Sequence, residues 1–399
     1  MHEVRAAAAT TGSVLPRTVV LLGVVSLLND AASEMITPLL PIFLTATLGA
    51  GPAIVGFVEG LAEATASVLK LVSGRLADRG VPAKRLVLGG YGISNACRPL
   101  IGLATGWLAV LLLRFLDRVG KGLRTAPRDA YIASAAHPDQ RGRAFGFHRS
   151  MDHAGAVIGP LLAFAMLKAQ ADLQHVFLAS ALPGVLVILL LVFGLPAQHA
   201  SLPAQPKRFR WNELHGRLRA MIVAAGLLAL ASVPEVFVVL WATEAGMAVA
   251  WVPLVWAAAS IAKMAVAMPA GVLSDRVGRL PLLLGGWTAR IVLLLLLALA
   301  QPGAVGVWLL FIAYSATLAV TEPAERSLIG DHADERERGT AYGLYHLTAG
   351  LLVLPGALLF GALWERFGST TAFATAAAAT AMAGAVLVGL AGTRSRASR

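Results

Sequence analysis

Apolar and polar positions alternate along this chain on a long scale. Stretches of about 20 residues or more, dominated by Leu, Val, Ala, Ile and Gly, are divided by short polar connections. A helix needs about 20 apolar residues to cross the hydrocarbon core of a bilayer, so each stretch predicts one spanning helix. Twelve follow, over roughly 17–47, 51–77, 84–104, 107–134, 143–168, 174–196, 218–244, 248–274, 280–300, 305–330, 339–362 and 370–391. The longest connection, Gln198 to Arg219, is rich in proline and basic residues and falls midway. The pattern therefore predicts an all-α polytopic membrane protein. An N-terminal six-helix bundle covers 1–197, a cytoplasmic central loop 198–217 and a C-terminal six-helix bundle 218–399.

Composition agrees: 57% of the 399 residues are hydrophobic and 14% charged, against about 25% charged in a soluble domain. A net charge of +11 raises the question of nucleic acid, and the placement of the basic residues answers it. With the N-terminus inside, nineteen Lys and Arg fall in or beside the inner connections. Only Lys168 and Arg366 fall outside. A bias of this kind sets orientation: both termini are expected in the cytoplasm, the protein in the inner (plasma) membrane, and no nucleic acid as partner. The single Cys97 excludes a disulfide framework and a multi-cysteine metal site. The first sixteen residues carry no signal-peptide pattern.

The two halves repeat. GRLADRG (74–80) matches GVLSDRVGR (271–279), Gly89-Gly90 matches Gly285-Gly286, TAPRD (125–129) matches TEPAE (321–325), and RGRAFGF (141–147) matches RGTAYGL (338–344). All four hold one offset, 196 or 197 residues. Parallel six-helix repeats with a site between them at mid-membrane are a transporter architecture.

One predicted span breaks the apolar pattern. RFLDRVGKGLRTAPRDA carries Arg114, Asp117, Arg118, Lys121, Arg124, Arg128 and Asp129. At 100° per residue all seven fall within an arc of about 140°. Each charge turned to lipid costs roughly 2.5–3.5 kcal/mol, so this face must meet the bundle interior or a water-filled cavity. Other spans carry charges at mid-depth: Asp30 and Glu34 in the first, Glu59, Glu63 and Lys70 in the second, Arg98 in the third, His148, Arg149, Asp152 and His153 in the fifth. The second half has fewer, among them Glu235, Lys263 and Arg290. Intramembrane ionisable groups mark pathways, relays or internal pairs. A carboxylate among Asp30, Glu34 and Glu235 is expected to titrate, with Asp117 beside Arg114 as a further coupling candidate. Arg98, Arg114, Arg118 and Lys121, with Glu235 opposite, are the candidate substrate contacts, because guanidinium groups suit planar oxyanions.

These features together resemble the major facilitator superfamily along nearly the whole chain. GRLADRG followed by Lys84-Arg85 resembles its loop motif G-x-x-x-D-R-x-G-R-[RK], with VPA inserted before the basic pair, and the second copy starts at Gly271. The resemblance implies that Gly74, Asp78 and Arg79, with Gly271, Asp275 and Arg276, brace the two bundles and gate alternating access. RFLDRVGKG resembles the fourth-helix motif R-x-x-x-G-x-x-x-G, which implies a part for Arg114 in proton coupling. Arg118 stands where the first motif glycine would be. GAVIGP, with Gly155, Gly159 and Pro160, resembles part of the fifth-helix antiporter motif, with Leu162-Ala163 in place of its trailing glycines. The longer run DRVGKGLRTAPRDAYIA with RGRAFGFHRSMDHAGAVIGP is similar to a subgroup of bacterial permeases, some associated with metals, metal chelates or organo-oxyanions.

The resulting expectation is a monomeric, proton-coupled exporter of a small anionic or chelated compound, needing neither cofactor nor resident metal. A polyspecific drug exporter and an importer on the same fold are the alternatives. Aromatic residues make up only 7% of the chain, which argues against a large aromatic drug cavity. No phosphate-binding loop, nucleophile elbow or zinc-ligand spacing points to an enzyme.

Overall fold

The computed structural model describes residues 15–78, 81–137, 140–196, 216–332 and 338–392. Every regular element among the described residues is helical. In chain order these are α1 (Arg17–Ile36), α2 (Leu40–Ile42), α3 (Pro52–Asp78), α4 (Ala83–Ile101), α5 (Trp107–Ala135), α6 (Arg141–Lys168), α7 (Leu173–Ala179), α8 (Ala181–Gly194), α9 (Gly216–Ala231), α10 (Glu235–Glu244), α11 (Val252–Val277), α12 (Arg279–Leu299), α13 (Ala304–His332) and α14 (Arg338–Gly392).

Several expected spans are broken where the sequence removes a backbone donor. The first stops at Ile36, before Pro38, and resumes as α2 and a π-helical turn over Phe43–Thr47. Proline has no N–H and disfavours helix in the residue before it. The seventh span breaks in the same way between α9 and α10, at Pro234. Pro38 and Pro234 are 196 residues apart, so the kink repeats with the halves. The break leaves the Val233 carbonyl outside any helix, and the buried Tyr314 hydroxyl donates to it at 2.6 Å. The last run, α14, is two helices meeting at Gly368, whose φ of 83° and ψ of 166° end the first; glycine reaches positive φ without a Cβ clash.

Nine stretches of the described residues are long and apolar enough to cross a bilayer, one of them the 45-residue Leu344–Val388 run that bends at Gly368. α4, with Lys84, Arg85 and Arg98, and α5, with its seven charges, form as helices but are too charged to qualify on apolarity. The α5 charges do turn inward: Arg114, Asp117, Arg118 and Arg124 are buried, while Leu108, Leu112, Phe115 and Leu116 are exposed on the other side.

Within the first half α1 packs on α6 and α8, and α5 on α3 and α4. Within the second, α14 packs on α9 and α12, and α13 on α11 and α12. The halves meet chiefly along α3–α14 and α6–α11. Glycine makes the first contact close. A Cβ on Gly56 would strike the backbone of Ala357, one on Gly60 the backbone of Leu354, and one on Gly361 the backbone of Pro52 and Ala53.

At the end where α6 stops and α3 begins, both seams are fastened. Glu365 accepts the Ala53 N–H at 3.2 Å, a carboxylate on a helix N-terminus, where the helix dipole favours negative charge. On the other seam the Phe164 ring lies 5.5 Å from Trp251, and the Lys168 ammonium stands 4.1 Å over the same indole.

Candidate functional site

The charged face of α5 assembles a compact buried network. Arg114 is gripped by Glu59 of α3 through two nearly parallel bonds, Nε to Oε1 at 3.0 Å and Nη2 to Oε2 at 3.2 Å. Its Nη1 also reaches Asp117 Oδ2 at 3.5 Å, one turn on. Asp117 takes Arg98 Nε of α4 at 3.0 Å. Arg98 Nη1 in turn donates to the Asn29 carbonyl at 3.1 Å, Asn29 Oδ1 at 3.0 Å and Asn95 Oδ1 at 3.2 Å. Arg124 donates to Ser94 Oγ at 2.8 Å and stacks 4.4 Å over the Tyr91 ring. Ser94 Oγ passes its own hydrogen to the Asp117 carbonyl at 2.8 Å.

This geometry needs α4 and α5 backbone to backbone, and the fourth-span glycines provide it. A Cβ on Gly120 would strike the Gly90 carbonyl and Ser94, and one on Gly122 would strike Leu69 of α3. The closest approach thus falls at the glycines flanking Lys121, one helical turn from Arg118, which holds the place of the first motif glycine.

The network has four guanidinium groups, Arg98, Arg114, Arg118 and Arg124, and two carboxylates, Asp117 and Glu59. Arg118 receives least: its Nε lies 3.9 Å from Asp117 Oδ2 and has no hydrogen-bond partner among the described residues, although it is buried. Lys121 is half-buried nearby, and its ammonium makes no hydrogen bond or ion pair to a described residue; Glu63, Asp30, Lys70 and Arg118 are the charges around it.

The coupling candidates sit on α1 beside this network. Asp30 Oδ1 accepts Asn29 Nδ2 at 3.0 Å. Glu34 Oε2 accepts the Trp256 indole N–H at 2.9 Å, a bond from the first half to α11 of the second. Glu235 holds Lys263 Nζ through both oxygens, at 3.0 and 2.9 Å, and Lys263 lies 5.6 Å from the Trp256 ring. Of the expected substrate contacts, then, Arg98, Arg114 and Glu235 are closed in ion pairs, and Arg118 and Lys121 are the two with donors to offer.

The motif glycines of α6 also have a structural task. A Cβ on Gly155 would meet Leu27, Asp30 and Ala31, and one on Gly159 would meet Ala31 and Met35, so α6 lies directly against α1 below buried Pro160. In the second loop motif Gly271 has open space where a Cβ would stand, and Asp275 and Arg276 are exposed and form no ion pair among the described residues. Arg79, the Asp78 side chain and the surroundings of Gly74 lie outside the described residues.

The Major Facilitator Superfamily profile matches residues 22–353 and 236–398. The chain belongs to the major facilitator superfamily. It is therefore a member of a transporter family and a multi-pass membrane protein. Over 88% of its length it is 32% identical to the uncharacterized MFS-type transporter MJ1317 of Methanocaldococcus jannaschii, covering 89% of that protein. It is 27% identical to the multidrug resistance protein MdtH of Salmonella typhi over 78% of each chain. Among solved structures, the nucleoside transporter NupG superposes with a TM-score of 0.78, at 14% identity, over 94% of this chain and 99% of that one; at that identity the likeness speaks for the superfamily fold alone.

Two site features escaped the sequence reading. Trp256 as the partner of Glu34 bridges 222 positions, and nothing in a single indole on an apolar helix announces it. Glu59 was visible as a mid-span charge, and only the packing of α3 on α5 makes it the clamp of Arg114.

Proposed function

We propose that this superfamily member works by alternating access as a proton-coupled exporter of a small anionic compound, an organic oxyanion or metal chelate, bound between the halves at Arg118 and Lys121. The observation that carries the reading is the imbalance of the α5 network. Every carboxylate in it is engaged, yet Arg118 Nε has no acceptor and Lys121 has no ion-pair partner among the described residues. Glu63 is among the charges around both cations but makes no ion pair with either among the described residues, so they are incompletely matched, which is costly unless something anionic comes to them. Asp30 and Glu34, on the helix that faces the network, are the proton carriers in this reading, and the bond from Trp256 to Glu34 ties their state to the relative position of the halves. The basic residues crowd the connections assigned to the inside, which supports an inner-membrane protein with both termini cytoplasmic.

The test is a thermal-shift screen on the purified protein with two plates. One holds inorganic phosphate, sulfate, organic acids and metal citrates; the other holds lipophilic cations and neutral drugs. A ligand at about 100 times its Kd stabilises by roughly 2.7 kcal/mol. Shifts on the first plate that vanish in Arg118→Ala uphold the reading. Shifts confined to the second plate favour drug export, the reading that similarity to MdtH supports.

A further inference from the structure

The seam between α1 and α6 holds a chain of proton-carrying groups that the anion site does not use. His148 is buried, its Nδ1 3.5 Å from Asp152 Oδ2, one turn along α6. Its other nitrogen, Nε2, is buried with no hydrogen-bond partner among the described residues. The Ser26 hydroxyl of α1, itself 1% exposed, donates to the other oxygen of the same Asp152 carboxylate. Asp30 follows Ser26 by four residues, so the two share a face of α1. Gly155, three residues past Asp152, would carry a Cβ 2.9 Å from that of Asp30. The close approach of α6 to α1 thus lines up His148, Asp152, Ser26 and Asp30 in one seam.

Depth orders them. α1 and α6 are parallel, since α6 meets α1 residue by residue in the same direction: Gly155 at Leu27 to Ala31, then Gly159 at Ala31 to Met35. At 1.5 Å per residue from the start of each helix, His148 lies about 10 Å in, Ser26 about 14 Å, Asp152 about 16 Å, Asp30 about 20 Å and Glu34 about 26 Å. Asp152 and Ser26 thus sit at nearly one level, bonded across the seam, with His148 on the side where both helices begin and Asp30 and Glu34 on the other.

We infer that His148, Asp152 and Ser26 form a proton relay joining Asp30 to the end where both helices begin, the route by which an exporter driven by inward-moving protons discharges Asp30; the inference rests on the proton-coupled reading. The steps conserve protons in the loading direction and run equally in reverse. Facing a carboxylate, Nδ1 is the protonated nitrogen of the neutral imidazole, and Nε2 offers a lone pair. A proton taken up at Nε2 releases the Nδ1 proton to Asp152 Oδ2, leaving a neutral imidazole of the opposite tautomer. Asp152 passes its proton to Ser26 Oγ as the Ser26 hydroxyl proton moves to Asp30. Asp152 ends ionised, Ser26 ends a hydroxyl and Asp30 ends neutral. The charges surrounding His148 are Arg128 and Asp129 on α5, Asp30 on α1, and Arg149 and Asp152 on α6. Arg149 reaches Asp152 at 3.8 Å, but its side chain is 63% exposed and off the seam.

The experiment is a pH jump on the full chain in vesicles of phosphatidylethanolamine and phosphatidylglycerol. Infrared absorbance follows the carboxylic C=O band that Asp30→Asn removes. In His148→Ala and Asp152→Asn the band should reach its usual amplitude on the order of tenfold or more slowly, and added imidazole should restore the rate in His148→Ala. Ser26→Ala should be slow and Ser26→Thr near normal, and Arg149→Ala should match the parent. Unchanged rates in His148→Ala and Asp152→Asn overturn the relay while leaving the coupling reading standing. Slowed rates with no imidazole rescue and a lowered Tm also overturn it, since they assign the trio to packing alone. If neither Asp30→Asn nor Glu34→Gln removes a titrating band, the coupling reading fails and takes the relay with it.

Discussion

α5 and α13 hold equivalent places in the two halves and are built on opposite principles. An offset of 196 sets Leu310 against Arg114, Ala313 against Asp117, Tyr314 against Arg118, Thr317 against Lys121 and Val320 against Arg124. The helix-to-helix linkage survives this exchange. In the first half Ser94 of α4 bonds the Asp117 carbonyl and receives Arg124. In the second, Arg290 of α12, in the place of Ser94, bonds the Thr317 carbonyl at 3.3 Å and Thr321 Oγ1 at 2.9 Å. Gly90 and Gly286 match as well, though Gly90 abuts the Gly120 backbone carbonyl and Gly286 only the Thr321 methyl group. The same frame can thus be held by one buried arginine donating to neutral acceptors, with no carboxylate among its partners. The charges of α5 are more than its packing requires, which is why recognition and coupling are assigned to the first half.

The largest effect should come from the centre of the charged network. Asp117→Asn leaves Arg98, Arg114 and Arg118 with Glu59 as their one carboxylate in the network, and breaking a buried ion pair costs about 3–5 kcal/mol. Equilibrium unfolding in detergent should show a loss of that size. In the second half Tyr314→Phe, at the position equivalent to Arg118, strands the Val233 carbonyl alone and should cost about 1–3 kcal/mol in the same assay. Equal losses would erase the contrast between the halves.

The glycines sharpen it at smaller scale. Gly90→Ala meets backbone and should cost about 1–3 kcal/mol by overpacking. Gly286→Ala meets a single methyl group and should cost less, and Gly271→Ala, facing open space, should leave Tm unchanged within error. Lys168→Ala removes a cation from the α6–α11 seam at the end where α6 stops; a cation–π contact at such a site is worth about 0.5–1 kcal/mol. A cysteine placed behind the seam, in a Cys97→Ser background, should then label faster from the end where α6 stops.

Much of this was legible in the sequence, and the rest was not for a physical reason. Span 107–134 follows from the series of long apolar stretches, the arc of its charges sets which face turns inward, and α5 runs Trp107–Ala135. The breaks at Pro38 and Pro234 were missed because an apolar run was read as one helix, whereas a missing donor ends the hydrogen-bond ladder whatever the hydropathy. That α5 turns its charges inward follows from periodicity. Which carboxylate meets which arginine does not, because Arg114–Glu59 and Arg98–Asp117 depend on how close glycine lets neighbouring helices come.

The most direct test of the account compares the halves by binding. The anion giving the largest thermal shift would be titrated calorimetrically into the parent, into Arg118→Gln, and into the double variant Glu235→Gln/Lys263→Met, which removes the second half's ion pair without leaving a lone charge. Loss of a charge-assisted contact of about 1.5–3 kcal/mol predicts an affinity roughly ten- to a hundredfold weaker in Arg118→Gln, with the double variant close to the parent. The reverse order, with Arg118→Gln unaffected and the double variant weakened, would move recognition to the second half and contradict the account.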